Sequence, residues 1–394
     1  MKPLKVVAAN DAFSALVALA DVVAGKQALF VASTPTTDTR AQAAETDLSI
    51  ALTPEAHNLP EEVDAAVALI VESSGSTGAP KRIEVELEPL LVSARSSLEA
   101  LGGPGQWLLA LPVNFIAGIQ VLVRSILADT QPVTLNTSVS FTAEGFARAA
   151  SLMTADRRYT SVVPVQLNRL AEAAVSDEFV LEQLRRFDAI LVGGQAPDGA
   201  NLEKLRALGV RLIVAYGMTE TCGGCVYDGV ALNGVTVEIS PDGLIAIGGK
   251  VLANASFRPT LLTNDLGELS ADGRLTILGR SDRVINSGGL KLSLDAVEDW
   301  ARTQPGITDA AAVAMEHEEF GQTFACWVEL SDSVSAVAQS DAPIRRGSAV
   351  ASLGRAASAA TWLGIDSLPR LQNSKPDLQA LQKLAAKLPT TAKS

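Results

Sequence analysis

Histidine and cysteine are scarce in this chain, whose 394 residues include two histidines and three cysteines. Neither His57 nor His317 stands in a nucleophile-elbow or similar context, which argues against a Ser-His-Asp or Cys-His hydrolase. Three cysteines are also too few for a disulfide scaffold. Chemistry carried out by this chain should therefore depend on positioning and on stabilisation of charge.

Cys222 and Cys225 have the C-x-x-C spacing of a redox pair or of half a zinc site. Because no second ligand pair accompanies them in the sequence, structural thiols in or near a pocket are the favoured interpretation. A redox or metal protein built on these two cysteines is a rival hypothesis, and it predicts bound zinc or a thiol-dependent activity.

An excess of positive charge and a long unbroken apolar segment are also missing. The formal net charge is -12, which disfavours nucleic acid or an anionic membrane as the main partner, since both need clustered cations. The longest apolar region, LLALPVNFIAGIQVLVRSILA, is interrupted by Pro112, Asn114 and Arg124, so it predicts a strand, a loop and a core helix. Asp11 and Asp21 interrupt any signal-peptide core. We expect a cytoplasmic protein without integral membrane association.

Short β-branched runs alternate with Ala/Leu-rich helical patterns through the first two-thirds of the chain. This alternation is typical of α/β layers with mostly parallel sheets. From about Gly234 two hairpin-like pieces each turn on an Asp-Gly pair, which predicts a small β subdomain. A fresh helix and two strands then predict a smaller α+β domain, and the chain length also favours two domains.

Residues 73–81 read SSGSTGAPK and follow the apolar stretch AAVALIV, which predicts a buried strand. Glycines let backbone N–H groups converge on one anion, hydroxyls add donors, and Lys81 adds a positive charge. The order G-x-x-G-x-P-K excludes a Walker loop, which needs Gly, four residues and then Gly-Lys-Ser/Thr. Taken alone, the segment is equally compatible with a polar turn between two strands.

Four regions in this order resemble the adenylate-forming acyl-CoA ligase superfamily: SSGSTGAPK, then ILVGGQAPDG with YGMTETCGGCVYDG, then Thr263 to Glu298, and finally LPRLQNSKPDLQAL. The resemblance implies a large N-terminal adenylation domain, residues 1–280, and a mobile C-terminal lid, residues 281–394, with a hinge near Asp282. It also implies that a carboxylic acid and ATP form an acyl adenylate, from which CoA then displaces AMP, with Mg²⁺ as cofactor.

The resemblance assigns an ATP site to the first three of these regions. The glycine-rich loop would hold the β- and γ-phosphates, Thr219 would donate to the α-phosphate, and Glu220 would reach Mg²⁺. Asp265 would accept both ribose hydroxyls. The complete predicted ATP site comprises Ser73, Ser74, Gly75, Ser76, Thr77, Gly78, Lys81, Gly193, Gly194, Gln195, Tyr216, Gly217, Thr219, Asp265 and Arg280.

Lys375 is the principal catalytic candidate that the resemblance implies, together with Thr219 and Glu220. A lysine delivered by a closing lid would stabilise the charge that develops on the α-phosphate. Gly288, Gly289 and Lys291 would face the CoA tunnel; alternatively, this SGG run is the turn before a helix capped by Ser293. Both interpretations can hold together.

Within the superfamily the chain resembles the o-succinylbenzoate–CoA ligases of menaquinone biosynthesis, which implies a small aromatic dicarboxylate as acyl substrate. The second carboxylate needs a cation or donors, for which Gln166 and Arg169 are candidates, although Arg169 is equally compatible with a helix surface. The predicted acyl site comprises Asn114, Gln166, Arg169, Met218, Cys222 and Gly223.

Two departures from the superfamily pattern leave alternatives open. Asn114 stands where many relatives have histidine, and Ser374 replaces the glycine usual before the lid lysine. Another aryl- or fatty-acid CoA ligase is one rival reading. A non-catalytic nucleotide-binding relative is the other, and the sequence leaves the oligomeric state open, with a homodimer compatible.

Overall fold

The computed structural model describes residues 1–33, 52–73, 81–137, 139–330, 344, 346–371 and 375–388. The chain divides into two compact units. The first unit comprises Met1–Glu238, Ala246–Leu262 and Leu269–Leu275, and the second comprises Ile239–Ile245, Thr263–Glu268 and Thr276–Ser394. The second unit thus begins before the boundary predicted at 280/281, because it includes parts of the hairpins that follow Gly234.

The first sheet of the first unit contains strands β1 to β5: Lys2–Ala8, Ala28–Ala32, Glu62–Val63, Val67–Ser73 and Lys81–Glu86. Their order is β3-β1-β2-β4-β5, with parallel pairing from β1 through β2 to β4 and antiparallel pairing at both edges. Helix α1, Ala12–Val23, follows β1 and begins at Asp11, whose carboxylate accepts the Ser14 N–H at 2.9 Å.

The second sheet contains strands β6 to β12: Gln106–Leu109, Val133–Thr134, Arg158–Val162, Ala189–Gly193, Leu212–Met218, Gly223–Tyr227 and Val230–Ala231. Its order is β12-β11-β10-β9-β8-β6-β7. Pairing is parallel from β7 through β6, β8 and β9 to β10, and antiparallel for β11 and β12. The predicted α/β layers with a mostly parallel sheet are confirmed.

The helices that accompany the second sheet are α2 to α7: Leu87–Ala100, Ile116–Leu127, Ala143–Ser151, Pro164–Ser176, Glu178–Arg185 and Gly199–Ala207. Leu108, Phe146, Leu167 and Val192 are among the buried side chains of the core that helices α4 to α7 share with the sheet. The apolar run that carries Arg124 forms the predicted strand β6, a loop, and helix α3. No described helix is long and apolar enough to cross a membrane.

The next strands are β13 to β16: Val235–Ile239, Leu244–Gly249, Thr260–Leu269 and Leu275–Arg280, arranged in that order in a four-stranded sheet. The turn after β13 places Gly243 at φ +80°, and the turn after β15 places Gly273 at φ +79°. Each glycine follows an aspartate, so the Asp-Gly pairs mark the turns that the sequence predicts.

The rest of the second unit contains strands β17 to β21: Val284–Ser287, Leu290–Ser293, Ile307–His317, Gly321–Leu330 and Thr361–Ile365. Their sheet has the order β18-β17-β20-β19, and β21 pairs in parallel with β20. Helices α8 to α10 are Leu294–Arg302, Arg346–Leu353 and Leu378–Ala385. Phe324, Trp300 and Trp362 pack edge to face within the core of this sheet, which confirms a smaller α+β body.

Candidate active site

The carboxyl ends of β9 and β10 bring together the two glycine-rich segments of the first unit. Because these neighbouring strands are parallel, their ends meet at one edge of the sheet, where α/β proteins bind ligands. Gly193 ends β9, and an added Cβ there would lie 2.9 Å from the Ala215 carbonyl oxygen of β10. Gly194 follows in the left-handed region at φ +91°, and Gln195 is exposed. The geometry leaves a backbone wall with little side chain in this part of the predicted ATP site.

Gly217 lies where the pairing of β10 with β11 shifts register, between Tyr216 and Gly217. A Cβ on Gly217 would lie 2.1 Å from the Gly223 carbonyl oxygen, so the two backbones touch. This close approach needs glycine. The strand end carrying Tyr216, Gly217 and Met218 is therefore held in place by backbone contact, and Met218 is half-buried.

The turn Thr219–Thr221 presents the predicted catalytic pair. Thr221 closes the turn, since its hydroxyl accepts the Met218 N–H at 2.9 Å. The Glu220 carbonyl accepts the Ala253 N–H at 2.8 Å, which anchors the turn to a loop of the same unit. Within the described part of the chain, no hydrogen bond or ion pair engages the Thr219 hydroxyl or the Glu220 carboxylate, so both groups can serve a ligand.

The residues around Glu220 suit one magnesium ion that is held mainly by phosphate oxygens. Among the described residues, no group of three or more His, Cys, Asp or Glu side chains could form a protein-only metal site. Mg²⁺ usually keeps water and phosphate ligands and takes only one or two carboxylates from the protein. A single available carboxylate beside a hydroxyl fits that pattern.

The predicted phosphate loop joins two antiparallel strands. Ser73 is the last residue of β4 and Lys81 the first of β5, and they pair directly with each other. Ser74, Gly75, Ser76, Thr77 and Gly78 lie outside the described residues, so their predicted role stays a prediction. The Lys81 Nζ lies 5.7 Å from the Phe257 ring centroid. A Walker loop connects a strand to a helix; this hairpin connection agrees with the exclusion of that motif.

Cys222 and Gly223 of the predicted acyl site are held in place by side chains of α2 and α3. Cys222 has φ +56°, and its carbonyl accepts hydrogen bonds from Gln120 Nε2 at 2.8 Å and Ser93 Oγ at 3.0 Å. Gly223 has φ +100°, and a Cβ there would lie 3.3 Å from Gln120 Cγ. Asn114 is buried and donates to Ser33 Oγ at 3.1 Å, while its Oδ1 has no partner among the described residues.

Three of the predicted acyl contacts are disfavoured by the hydrogen bonds and burial of their side chains. Both polar atoms of the Gln166 side chain already have partners, because its Oε1 accepts the Val163 N–H and its Nε2 donates to the Ala110 carbonyl. Arg169 is exposed and donates to the Phe141 carbonyl at 2.9 Å, which favours the helix-surface alternative. The Cys222 side chain is 0% exposed and lies in the core instead of lining an accessible wall.

Burial also decides between the readings of the C-x-x-C pair. Cys222 and Cys225 are buried free cysteines. Burial raises the pKa of the Cys222 thiol, and it raises the pKa of Cys225 to about 12. Since the thiolate is the nucleophile and the metal ligand, these pKa shifts disfavour redox or zinc chemistry. The structural reading of the two cysteines is the one that the structure supports.

Arg124 was missed as a candidate site residue. It is 3% exposed on helix α3, one turn after Gln120, and its guanidinium lies 4.8 Å from the Trp107 ring centroid. Arg124 Nε and Nη1, and Gln120 Oε1, have no hydrogen-bond partner among the described residues. Burial lowers the pKa of Arg124, against the influence of Tyr227. The signal was present in the sequence as the one charged residue of the mainly apolar helix α3.

In the second unit, Arg280 links two of the predicted functional carboxylates. Its Nη1 donates to Asp265 Oδ1 at 3.1 Å. Its Nε and Nη2 donate to the two carboxylate oxygens of Asp282 at 2.9 and 2.7 Å. Hydrogen bonding to Asp282, ahead of the other charges, raises the pKa of Arg280. Asp265, which is predicted to contact ribose, and Asp282, which is predicted to be the hinge, therefore bind the same guanidinium.

Lys375 belongs to the same electrostatic cluster of the second unit. Burial, followed by repulsion from Arg280, lowers the pKa of Lys375, and attraction to Asp265 opposes that shift. The structure thus brings Lys375 together with Asp265 and Arg280, from which it is far apart in the sequence. Ser374 lies outside the described residues, so the effect of its departure from glycine stays a prediction.

Gly288 and Gly289 form the two-residue turn between β17 and β18, with φ +59° and +82°. Positive φ at both positions is the geometry of a type I′ hairpin turn. The Gly288 N–H donates to the Phe320 carbonyl at 2.8 Å. Ser293 caps helix α8, as predicted, by accepting the Ala296 N–H at 3.3 Å. Lys291 is exposed on β18; its predicted contact with CoA is untested.

Comparisons with known proteins identify the family of this chain. The model of the family described as "AMP-binding enzyme" matches residues 5–258. The probable 2-succinylbenzoate–CoA ligase of Mycobacterium tuberculosis (strain CDC 1551 / Oshkosh) is 38% identical over 284 residues, which cover 69% of this chain and 73% of the relative.

Two solved structures have the same fold. ATP-bound MatB from Rhodopseudomonas palustris aligns with a TM-score of 0.77 at 17% identity, covering 98% of this chain and 89% of that one. The o-succinylbenzoate coenzyme A synthetase (MenE) of Bacillus subtilis, in complex with ATP and magnesium ion, aligns with a TM-score of 0.72 at 21% identity, covering 97% and 89%.

Proposed function

The chain belongs to the family of AMP-binding enzymes, and we propose that it is an ATP-dependent acid–CoA ligase that converts o-succinylbenzoate into o-succinylbenzoyl-CoA. The observation that carries this substrate is the 38% identity to a relative named as a probable 2-succinylbenzoate–CoA ligase, over 73% of that relative. The resemblance found in the sequence thus leads to the same family and the same acid.

A carboxylate resists attack by a thiol because oxide is a poor leaving group, so the acid must first be activated. One carboxylate oxygen of the acid attacks the α-phosphorus of ATP, the bond from that phosphorus to the bridging oxygen breaks, and pyrophosphate leaves. The CoA thiol sulfur then attacks the acyl carbon of the adenylate, losing its proton, and AMP leaves. Both steps conserve oxidation state.

The first unit supplies hydroxyl and carboxylate groups for the activation step. We place the Thr219 hydroxyl as donor to the α-phosphate, because it has no competing partner among the described residues. Glu220 would hold Mg²⁺, which when bound neutralises charge on the phosphates. The residues Gly193, Gly194, Gln195, Tyr216 and Gly217 would receive the adenine, since the strand ends leave a wall with few side chains there.

The second unit supplies the ribose contact and the catalytic cation. Asp265 would accept the ribose hydroxyls, and Arg280 holds that carboxylate in position through its hydrogen bond. Lys375 would stabilise the charge that grows on the α-phosphate oxygens during attack. Because burial lowers the pKa of Lys375, its ammonium form gains by meeting an anion. Asp282 as the pivot and Gly288, Gly289 and Lys291 at the CoA site complete the proposal.

Arg124 supports an acid with two carboxylates. Only one carboxylate is activated, so the second must be recognised as an anion. A buried guanidinium with two unpartnered donors is costly to maintain. A carboxylate matches the forked donors of arginine in charge and geometry. We therefore assign recognition of the second carboxylate to Arg124, in place of the predicted Gln166 and Arg169.

A substrate panel tests the proposed function. Pyrophosphate release would be measured for o-succinylbenzoate, benzoates and fatty acids, each with and without CoA. We expect o-succinylbenzoate to give the highest kcat/KM and to yield a thioester only when CoA is added. A higher kcat/KM for a fatty acid or a simple benzoate would refute the substrate. ATP binding without turnover of any acid would favour the non-catalytic relative suggested by Asn114 and Ser374.

The assignment of Arg124 has a matched control on helix α5. Arg124→Met should lower kcat/KM for o-succinylbenzoate by about 10- to 100-fold, because a hydrogen bond to a charged group is worth about 1.5–3 kcal/mol. Activity on benzoate, which lacks the second carboxylate, should change little. Arg169→Met removes an exposed arginine and should leave both activities unaltered. Equal loss on both acids would show that Arg124 serves folding instead.

A further inference from the structure

Lys375 lies on one arm of a hairpin, and Arg370 lies near the base of the opposite arm. The Leu371 N–H donates to the Lys375 carbonyl at 2.8 Å, and the Asp377 N–H donates to the Pro369 carbonyl at 2.7 Å. Arg370 forms an isolated antiparallel bridge with Pro376. The backbone position of Lys375 is thus fixed relative to the opposite arm, 368–371, of the same hairpin.

That opposite arm is tied to the sheet of the second unit by Arg370. Its Nη2 donates to Asp309 Oδ2 at 2.8 Å and to Glu329 Oε2 at 3.0 Å. The same Glu329 oxygen accepts the Leu368 N–H at 3.0 Å. Leu368 itself is buried among side chains of β19, β20 and α10. The base of the hairpin is therefore held by a hydrophobic anchor and by a charged one.

The two carboxylates that Arg370 meets face each other across the sheet. Asp309 of β19 pairs directly with Glu329 of β20, and like charges directly opposite one another destabilise a strand pair. Arg302 donates to the other Asp309 oxygen at 2.9 Å. The Arg370 side chain is 21% exposed and its partners 18% and 23%, so solvent screens these charges only in part. Asp309 and Glu329 thus form a negatively charged patch on the sheet, called the Asp309–Glu329 socket below, and Arg370 neutralises part of this charge.

We infer that Arg370 is a positioning residue for adenylation: it seats the hairpin base in the Asp309–Glu329 socket and so fixes where the Lys375 ammonium lies. It contacts no substrate in this account, and it acts through the hairpin backbone alone. This inference rests on the proposed function for the role of Lys375. A misplacement of about 1 Å can cost about 100-fold in rate. Loosening the base of the hairpin should therefore lower the rate of adenylation, which is the step that uses Lys375.

Two measurements on purified protein test the inference. Hydrogen–deuterium exchange, followed on the peptide that contains Leu371 and Asp377, reports on the hairpin without any substrate. The half-reactions report on the lysine: adenylation is measured as pyrophosphate release from o-succinylbenzoate without CoA, and thioesterification from chemically prepared acyl adenylate with CoA. Arg370→Met and Arg370→Lys are compared with Arg355→Met, which removes an exposed arginine of the same unit.

We expect Arg370→Met to accelerate exchange in the hairpin and to lower kcat for adenylation by about 10- to 100-fold. KM values for ATP and acid, and the rate of thioesterification, should stay within about twofold of wild type. Arg370→Lys should recover part of the loss, and Arg355→Met should show none. If Arg370→Met does not fold, Glu329→Gln serves, because its amide oxygen can still accept the Leu368 N–H.

Unchanged exchange in Arg370→Met would overturn the inference, and so would equal losses in both half-reactions, since that pattern indicates general damage to the unit. If wild-type protein makes no adenylate from o-succinylbenzoate, the proposed substrate fails. The hydrogen–deuterium exchange measurement still decides whether Arg370 holds the hairpin. The half-reactions are then repeated with the acid that the substrate panel identifies.

Discussion

Replacing Gly217 by alanine tests whether backbone contact between β10 and β11 positions the nucleotide-facing residues. A Cβ at Gly217 would meet the Gly223 carbonyl oxygen at 2.1 Å, its carbonyl carbon at 2.7 Å and the Gly224 Cα at 2.7 Å. All three atoms belong to backbone, so no side chain can rotate away to make room. The strands must move apart.

The required movement follows from the contact distances. Ordinary van der Waals contact starts at 3.4 Å, so the oxygen must withdraw by about 3.4 − 2.1 = 1.3 Å. Overpacking of this kind costs about 1–3 kcal/mol of stability. Displacement of Tyr216 and Thr219 by about 1 Å would lower the adenylation rate by about 100-fold. Activity should therefore fall much more than the folded fraction does.

The assay combines pyrophosphate release with thermal unfolding. Gly199→Ala is the matched control, because a Cβ there meets nothing within 4 Å and the residue begins helix α7. We expect the control to keep wild-type rates and the Gly217→Ala protein to unfold cooperatively at a lower temperature with about 1% of the activity. Wild-type adenylation in a folded Gly217→Ala protein would refute the argument that this contact sets the geometry.

Two further substitutions test the second unit. Lys375→Ala should lower adenylation by about 10²–10³-fold, or about 2.7–4 kcal/mol, and leave thioesterification of supplied adenylate intact; equal loss in both half-reactions would contradict that role. Because burial lowers the pKa of Lys375, the ammonium form is lost as pH rises, and wild-type adenylation should decline at a lower pH than an ordinary lysine would impose. Burial by itself would raise the pKa of Asp309, but Arg302 and Arg370 hold that pKa below its usual value. Its stabilisation is therefore present above about pH 4 and is lost as pH falls through the folded-state pKa. Because Arg302 and Arg370 each keep another carboxylate partner, Asp309→Asn should lower the free energy of unfolding by about 1.5–3 kcal/mol at neutral pH and by less in acid, as measured by urea unfolding at several pH values; a difference independent of pH would count against the ion-pair account.

Local patterns were sufficient to predict most elements of the fold. The run AAVALIV becomes β4, and the two Asp-Gly pairs become turns with Gly243 and Gly273 at positive φ. Ser293 caps helix α8 as its position before an amphipathic stretch indicated. These predictions succeed because a turn, a cap or a buried strand depends on a few neighbouring residues whose backbone preferences are written in the sequence. The C-x-x-C spacing did not distinguish a redox or zinc pair from structural cysteines, because spacing carries no information about burial.

The sequence by itself determined the family, the α/β layers and the residue types available for ATP and for an activated acid. Only the tertiary structure showed which of these polar side chains already have partners. Gln166 and Arg169 have polar partners in their own surroundings, whereas Arg124 is buried with donors left over. It also decided that Asp265, Arg280 and Lys375 share one cluster and that Arg370 anchors the lysine hairpin. The physical reason is that burial, pKa and ion pairing arise from contacts between segments distant in the chain, which spacing along the chain does not encode.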